Sequence, residues 1–291
     1  MPDIWGTAAI ITKLLLYVGV AGASGLVIIR AAYPELTAPL KIKMQYRAIL
    51  LALLALITAV VGFMLRGASL TGGAGGMVDP EMLGLLWQTP VGDALLYRVT
   101  GAVLIIAGLL IPHIGKWIAL TGSFIALWSF AQIGHVPDLE TIGVRILLLL
   151  HLAGIAFWVG ILGPLRTLSR LPEQIENAAL LGHRFGQAAA VIVPALVLAG
   201  LLMAWLLIGD LWLLVSTGYG QTLAIKLLLV GLVLTLAVAN KLRFVPAMQA
   251  GDEKAARHLA RSIEIETIVI LLVLAATAIL TSVLTLPNLG E

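Results

Sequence analysis

The chain has 291 residues, of which 60% are hydrophobic and 11% are Asp, Glu, Lys or Arg, and its mean hydropathy is +1.07. This composition excludes a soluble globular protein and predicts an all-α integral membrane protein embedded in a lipid bilayer. The net charge of +3 gives no nucleic-acid signal, because the basic residues lie in short loops, and the absence of cysteine excludes disulfides and thiolate metal sites.

Eight apolar segments long enough to cross a bilayer follow one another along the chain. They occupy residues 5–29, 46–65, 91–111, 115–133, 143–165, 184–208, 219–240 and 262–286. The N-terminus lacks the basic region of a signal peptide, so we expect the first span to be retained. Alternate connections collect thirteen basic residues on one side and two on the other. The positive-inside rule therefore predicts eight spans with both termini outside.

Two local signals stand out between these segments. Asp79, Pro80 and Glu81 follow a glycine-rich stretch. An N-cap acid, a proline at the first helical position and an acid in the first turn predict a short amphipathic helix through Trp87, which we expect on the membrane surface. Pro194 lies inside the sixth segment, where we expect a kink.

Residues at equal offsets recur in the two parts of the chain and predict an internal repeat. They are Thr89, Gly92 and Arg98 with Thr217, Gly220 and Lys226, and Lys13, Gly22 and Gly25 with His151, Gly160 and Gly163. We therefore expect one membrane domain over residues 1–291. Its parallel 4+4 halves, 1–133 and 134–291, would be related by an axis along the membrane normal.

Four basic or ionisable residues form a predicted polar layer about 10 to 13 Å below the outer boundary, at 1.5 Å per residue. They are Lys13, Arg98, His151 and Lys226. In one interpretation the three cationic side chains simply extend to the outer headgroups. Otherwise four such groups in a dry bundle would repel one another, so an anion or a wet cavity is expected, with Asp93 as the nearest carboxylate.

Residues 134–164 place His135 at a membrane boundary and His151 inside an apolar helix. An ionisable ring inside a membrane is costly and indicates a functional site. His151 shares a helix face with Gly154 and Trp158. The alternative is a neutral imidazole that donates a hydrogen bond to a neighbouring helix, with Trp158 in ordinary packing.

Methionines on the outer side extend this hypothesis to a metal. Thioethers and imidazoles suit Cu(I), and thiolates are not required, although methionines in membrane proteins also serve as packing. We predict a metal or cofactor site open to the outer face. Its predicted ligands are His135, His151, Met64, Met77, Met82 and Met203, and its predicted lining residues are Lys13, Arg98, Trp158 and Lys226.

Several short motifs follow one another in the second half of the chain. They are GH at 134–135, His151 with AFWVG at 156–160, HRFG at 183–186, YGQ at 219–221 with Lys226, NKLR at 240–243 and RSIEIE at 261–266. With these motifs the chain resembles the copper-resistance protein D family, over most of its length and most strongly over residues 134–287. The resemblance implies an eight-span protein of the bacterial inner membrane. Such a protein moves copper across that membrane or handles it beside periplasmic copper-binding partners.

A second resemblance concerns His151, Gly154 and Trp158, whose spacing is similar to the haem-ligating helix of HemJ-type membrane proteins. It implies haem b held by His151, with the basic layer contacting the propionates. A structural subunit of a larger membrane complex is a third alternative. The sequence contains no phosphate-binding loop, nucleophile with a base or paired carboxylates, so we do not predict an enzyme. Glu264 and Glu266 are expected at the cytoplasmic end of the last helix, with Glu264 paired to Arg261.

Overall fold

A computed structural model describes residues 3–134 and 141–286, and this part of the chain is helical without any strand. The helices are α1 (Ile4–Ala32), α2 (Lys41–Thr71), α3 (Pro80–Trp87), α4 (Pro90–Leu110), α5 (Gly115–Trp128), α6 (Ile142–Leu168), α7 (Ile175–Ile208), α8 (Leu213–Ser216), α9 (Gly218–Ala239), α10 (Val245–Gln249) and α11 (Glu253–Ser282). The all-α prediction is confirmed.

Within the described residues, seven helical segments are long and apolar enough to cross a membrane. They are Ile4–Ala32, Ala38–Thr71, Pro90–Leu110, Ile142–Leu168, Pro172–Ile208, Gly218–Gln249 and Glu253–Ser282. The remaining predicted segment, 115–133, forms the shorter α5, which has 14 residues and is followed by the 3-10 turn Ser129–Ala131. The Ser129 hydroxyl donates to the Ala126 carbonyl at 2.6 Å, a local bond that competes with a continuing helix.

The predicted short helix before α4 is confirmed as α3. The Asp79 carboxylate accepts from the backbone N–H groups of Glu81 at 3.0 Å and Met82 at 3.5 Å, and Pro80 is the first helical residue. Asp79 thus satisfies donors that have no partner inside the helix, which explains why the helix begins there. Its position on a membrane surface stays a prediction.

The centre of the bundle is the contact between α1 and α6, where Gly25 meets Gly160. A Cβ on Gly25 would lie 2.8 Å from both N and Cα of Gly160, so only glycine permits this approach of two backbones. The α4–α5 pair is built the same way, because a Cβ on Gly101 would lie 2.6 Å from the backbone nitrogen of Ala126. Close helix contacts on small residues therefore join the two halves at α1 and α6 and hold α4 against α5 within the first half.

The helix contacts recur between the two halves. Within the first half, α1 packs against α2 and α5, and α4 packs against α5. Within the second half, α6 packs against α7 and α11, and α9 packs against α11. Across the halves, α1 packs against α11 as well as α6, and α5 packs against α6. The two central helices, α1 and α6, thus have matching sets of neighbours.

Candidate functional site

The four residues of the predicted polar layer lie at similar distances from the starts of their helices. Each comes eight or nine residues after the first helical residue, which is about 12 to 14 Å along the axis. They are Lys13 on α1, Arg98 on α4, His151 on α6 and Lys226 on α9. His135, predicted as a ligand beside them, lies outside the described residues.

Lys13 is tied to the end of α11. Its Nζ donates to the Thr281 carbonyl at 2.6 Å, and the Tyr17 hydroxyl lies 3.0 Å from the Thr281 Oγ1. Thr281 belongs to the last turn of α11, whose carbonyls lack partners inside the helix. Lys13 therefore caps α11 and joins the two halves of the bundle.

Arg98 stacks on an aromatic ring. Its guanidinium carbon lies 5.4 Å from the centre of the Phe130 ring, which in turn lies 5.3 Å from the ring of Tyr17. The Arg98 Nε is buried without a hydrogen-bond partner among the described residues. Asp93, named as the nearest carboxylate to the layer, is exposed, and no ion pair in residues 3–134 or 141–286 joins it to Arg98. Five residues of helix place Asp93 about 140° around α4 from Arg98.

His151 is held by α7. Its Nδ1 lies 2.9 Å from the Leu196 carbonyl oxygen, and a Cβ on Gly200 would come within 2.9 Å of the imidazole Cε1. A carbonyl only accepts hydrogen bonds, so Nδ1 carries the proton and Nε2 keeps the lone pair of the neutral ring. The hydrogen bond expected for a core histidine is thus present, and it leaves one ring nitrogen able to bind a ligand.

Lys226 faces His151 from α9. It is near enough to act on the imidazole electrostatically, and it makes no hydrogen bond to any residue that the structure describes. Its side chain is half-buried. His151 and Lys226 are therefore the two polar-layer residues of the second half. Within the described residues, the Nε2 of His151 and the Nζ of Lys226 make no hydrogen bond.

The four predicted methionines divide into two groups. Met64 lies on α2, Met77 in the 3-10 turn Ala74–Met77 and Met82 on α3, and these elements pack against one another. Met203 is buried on α7, on the face that carries Leu196 and Gly200, since offsets of three and seven residues share a face. Of the four methionines, Met203 lies on α7, which packs against α6. No three His, Asp or Glu side chains gather as a metal site within the described ranges.

Trp158 belongs to a different cluster from His151, about 10.5 Å further along α6. Its indole Nε1 donates to Oε1 of Glu266 at 2.5 Å, and the Asn240 Nδ2 donates to Oε2 of the same carboxylate at 2.9 Å. Glu266 is only 2% exposed. Three helical segments thus meet at one buried carboxylate.

A cavity of about 200 Å³ adjoins this carboxylate, between α6, α7, α9 and α11. Its walls are apolar apart from Glu266, Asn240 and Lys241. Pro194 and Ala190 line it on α7, and Pro194 has no N–H to donate to the Ala190 carbonyl. Asn240 begins the π-helix Asn240–Phe244, an irregularity that often marks functional sites.

The burial of Glu266 differs from the prediction, which placed it with Glu264 at the cytoplasmic end of the last helix. Two residues of helix turn the side chains about 200° apart. Glu266 lies on the face that carries the buried Leu259 and Ile263, at offsets of seven and three, and that spacing was a visible signal.

Glu264 lies on the exposed face of α11. Its Oε1 accepts from the Arg166 Nε at 2.7 Å and also contacts Arg170. Arg166 belongs to the last turn of α6, and Arg170 lies in the turn that follows this helix. The carboxylate therefore links α11 to the end of α6. The ion pair predicted with Arg261 on the same helix does not form within the described residues.

Comparison with known protein families identifies the chain. Residues 1–146 match the family described as copper resistance protein D-like, N-terminal domain, and residues 178–280 match copper resistance protein D. No curated protein and no solved structure matches it. Two matches that cover both halves, together with seven apolar helices, confirm the predicted family and its multi-pass membrane character. The chain belongs to the copper resistance protein D family of membrane proteins.

Proposed function

We propose that this protein moves Cu(I) across the bacterial cytoplasmic membrane, or hands it to periplasmic copper-binding partners, through a site in the second half of the bundle. The proposal rests on the hydrogen bonding of the His151 imidazole. The Leu196 carbonyl holds Nδ1 at 2.9 Å, which leaves Nε2 with a lone pair inside the membrane. An oriented imidazole whose second nitrogen is bound by a carbonyl is the usual arrangement of a metal-binding histidine.

Met203 is the second ligand of the proposed site. Its thioether lies on the face of α7 that contacts His151, and imidazole and thioether together suit Cu(I). His135, seven residues before α6 begins, lies outside the described residues and stays a predicted ligand. Met64, Met77 and Met82 lie on elements grouped around α2 and form a separate cluster.

Lys226 lines the site and does not ligate, because a protonated amine has no lone pair to offer. Its positive charge opposes the binding of a cation nearby. A copper site beside the positive charge of Lys226 favours release of the metal over its permanent storage. This supports a carrier of copper over an enzyme or a structural subunit.

The proposal includes eight spans in two parallel repeats, with both termini outside. Matching neighbours around α1 and α6 support it, with α5 and α11 in equivalent places. Lys13 lies twelve residues before Gly25, and His151 lies nine before Gly160. If the two glycines share one depth, Lys13 and His151 differ by about 4.5 Å, less than a helical turn. Cysteines at the exposed Ser69 and Lys254 should label from opposite sides of the membrane, and labelling from one side contradicts the topology.

The proposed site is tested with purified wild-type protein, His151→Ala and Lys226→Ala. The matched control is His183→Ala, which removes an exposed histidine from α7. Elemental analysis and absorbance are measured on each protein, together with growth in copper of a host that carries each variant.

We expect copper without a Soret band in the wild type and in His183→Ala. His151→Ala should lose the bound copper and the effect on growth. Loss of a Soret band in His151→Ala would instead assign the histidine to haem. Unchanged metal content and growth in both site variants would overturn the site.

A further inference from the structure

The buried carboxylate of Glu266 is separate from the proposed copper site. It lies on α11, whereas its two hydrogen-bond donors come from α6 and from the π-helix that follows α9. Trp158 donates to one carboxylate oxygen at 2.5 Å and Asn240 to the other at 2.9 Å. An intramembrane acid that faces a cavity is a default candidate for a proton or ion pathway.

The arrangement suits a proton better than a metal ion. Both carboxylate oxygens already accept an N–H group, and the positive ends of those dipoles would oppose a cation beside them. Carboxylate and amide oxygens are also poor ligands for Cu(I). The two N–H donors stabilise the ionised carboxylate, whereas the apolar cavity favours the neutral acid.

A second observation shows which atom could accept a hydrogen bond from a protonated Glu266. The Oδ1 of Asn240 is buried and has no hydrogen-bond partner among the described residues. Rotation of this amide by half a turn exchanges its nitrogen and oxygen. The Oδ1 would then accept the O–H of a protonated Glu266, so the same pair can hold the carboxylate in either state.

Few other charged groups face Glu266. Lys241 of the π-helix is the other charged side chain that lines the cavity, and α7 contributes no charged group to it. At the end of α6 and in the turn after it, Arg166 and Arg170 are engaged by Glu264. On α1, Arg30 contacts Gln45 at 3.4 Å, and α10 carries no charged residue. On α11 itself, Arg261 lies five residues before Glu266.

We propose that Glu266 binds and releases a proton as copper moves, so that copper transport is coupled to a proton exchanged with water at the cavity. The proton leaves water, binds one carboxylate oxygen, and returns to water when Trp158 and Asn240 again stabilise the ionised form. Pro194 and the π-helix border the same cavity as Glu266. Two irregular helix segments therefore lie next to the carboxyl group whose charge changes. This coupling rests on the proposed copper function.

The test uses Glu266→Gln, which keeps the shape of the side chain and removes the proton. Glu264→Gln is the matched control, because that carboxylate lies two residues away on the exposed face. Each full-length protein is reconstituted into lipid vesicles, and Cu(I) uptake is measured across a series of imposed pH gradients. Infrared difference spectra over a pH titration report the carbonyl band of a protonated acid without any need for transport.

For one coupled proton, copper accumulation in the wild type and in Glu264→Gln should change by up to about tenfold per pH unit of gradient. Glu266→Gln should still bind copper, lose this pH dependence and lack the protonated-acid band. Glu266→Asp should keep the band, which separates loss of the proton from loss of the fold. An unchanged pH dependence or an unchanged band in Glu266→Gln would overturn the inference. Wild-type vesicles that move no copper but show the band would refute the transport proposal and the coupling, and would leave Glu266 as a proton site only.

Discussion

The two halves of the bundle carry ionisable residues at corresponding positions but engage them differently. In the first half, Lys13 is bound to the Thr281 carbonyl and Arg98 is stacked on Phe130. In the second half, His151 keeps a free ring nitrogen and Lys226 makes no hydrogen bond within the described residues. Similar residues at similar depth therefore hold helices together in one half and remain open to a ligand in the other.

Packing explains why the halves diverge. In the first half α2 packs directly against α4, and glycines bring α4 and α5 together. In the second half the cavity separates α7 from α9, with Pro194 on one wall and Asn240 on another. The helices of the first half are therefore packed directly on one another, whereas those of the second half surround a cavity.

The largest effect should come from breaking the joint between the halves at Gly25. We expect Gly25→Leu to destabilise the protein by about 3 kcal/mol or more, because a side chain there collides with the α6 backbone at Gly160. The matched control is Gly231→Leu, since a Cβ on Gly231 has no neighbour within 4 Å. Thermal unfolding in detergent measures both, and a wild-type unfolding temperature for Gly25→Leu would refute the backbone contact.

Replacing Lys13 and Lys226 separately tests whether the lysines of the two halves have different roles. Lys13→Met removes a charged donor from the Thr281 carbonyl and should cost about 1.5–3 kcal/mol of stability. Lys226→Met removes a half-buried charge that has no such bond, so its unfolding temperature should match or exceed that of the wild type, whereas growth in copper should change. Thermal unfolding and growth assays on both variants check this, and the reverse pattern would show that the halves do not divide these roles.

A smaller effect is expected from Tyr17→Phe, which deletes only the hydroxyl that pairs with Thr281 at 3.0 Å. The expected cost is about 0.5–1.5 kcal/mol, the usual value of one hydrogen bond. Thr235→Val is the control, because the Thr235 hydroxyl bonds only to the Gly231 carbonyl of its own helix and is exposed. Equal unfolding temperatures for Tyr17→Phe and Thr235→Val would argue against a stabilising role for the Tyr17 cluster.

The sequence was informative where local chemistry decides the structure. Hydropathy predicted the apolar helices, and Asp79 with Pro80 predicted where α3 begins. It could not show that Lys13 reaches Thr281, because that contact joins residues 268 positions apart. The methionines were predicted as one set, because hydropathy indicates the side of the membrane on which a residue lies but not which helices are neighbours.

Glu266 is a second residue whose contacts could not be predicted from the sequence alone. Helical spacing places Glu266 on the apolar face of α11, but only the packing of α11 against α6 and α9 shows what that carboxylate contacts. For His151 the sequence left a structural hydrogen bond and a ligand role as alternatives. The geometry is compatible with both, because each involves a different ring nitrogen.

The central claim, that the second half holds the copper, is tested most directly by X-ray absorption at the copper edge of the Cu(I)-loaded protein. The wild type should show both nitrogen and sulfur scatterers, from His151 and Met203. His151→Ala should lose the bound copper and with it the absorption edge, the sulfur contribution should disappear in Met203→Leu, and Lys13→Met should leave the spectrum unchanged. Identical copper loading and identical spectra in the wild type, His151→Ala and Met203→Leu would contradict the claim.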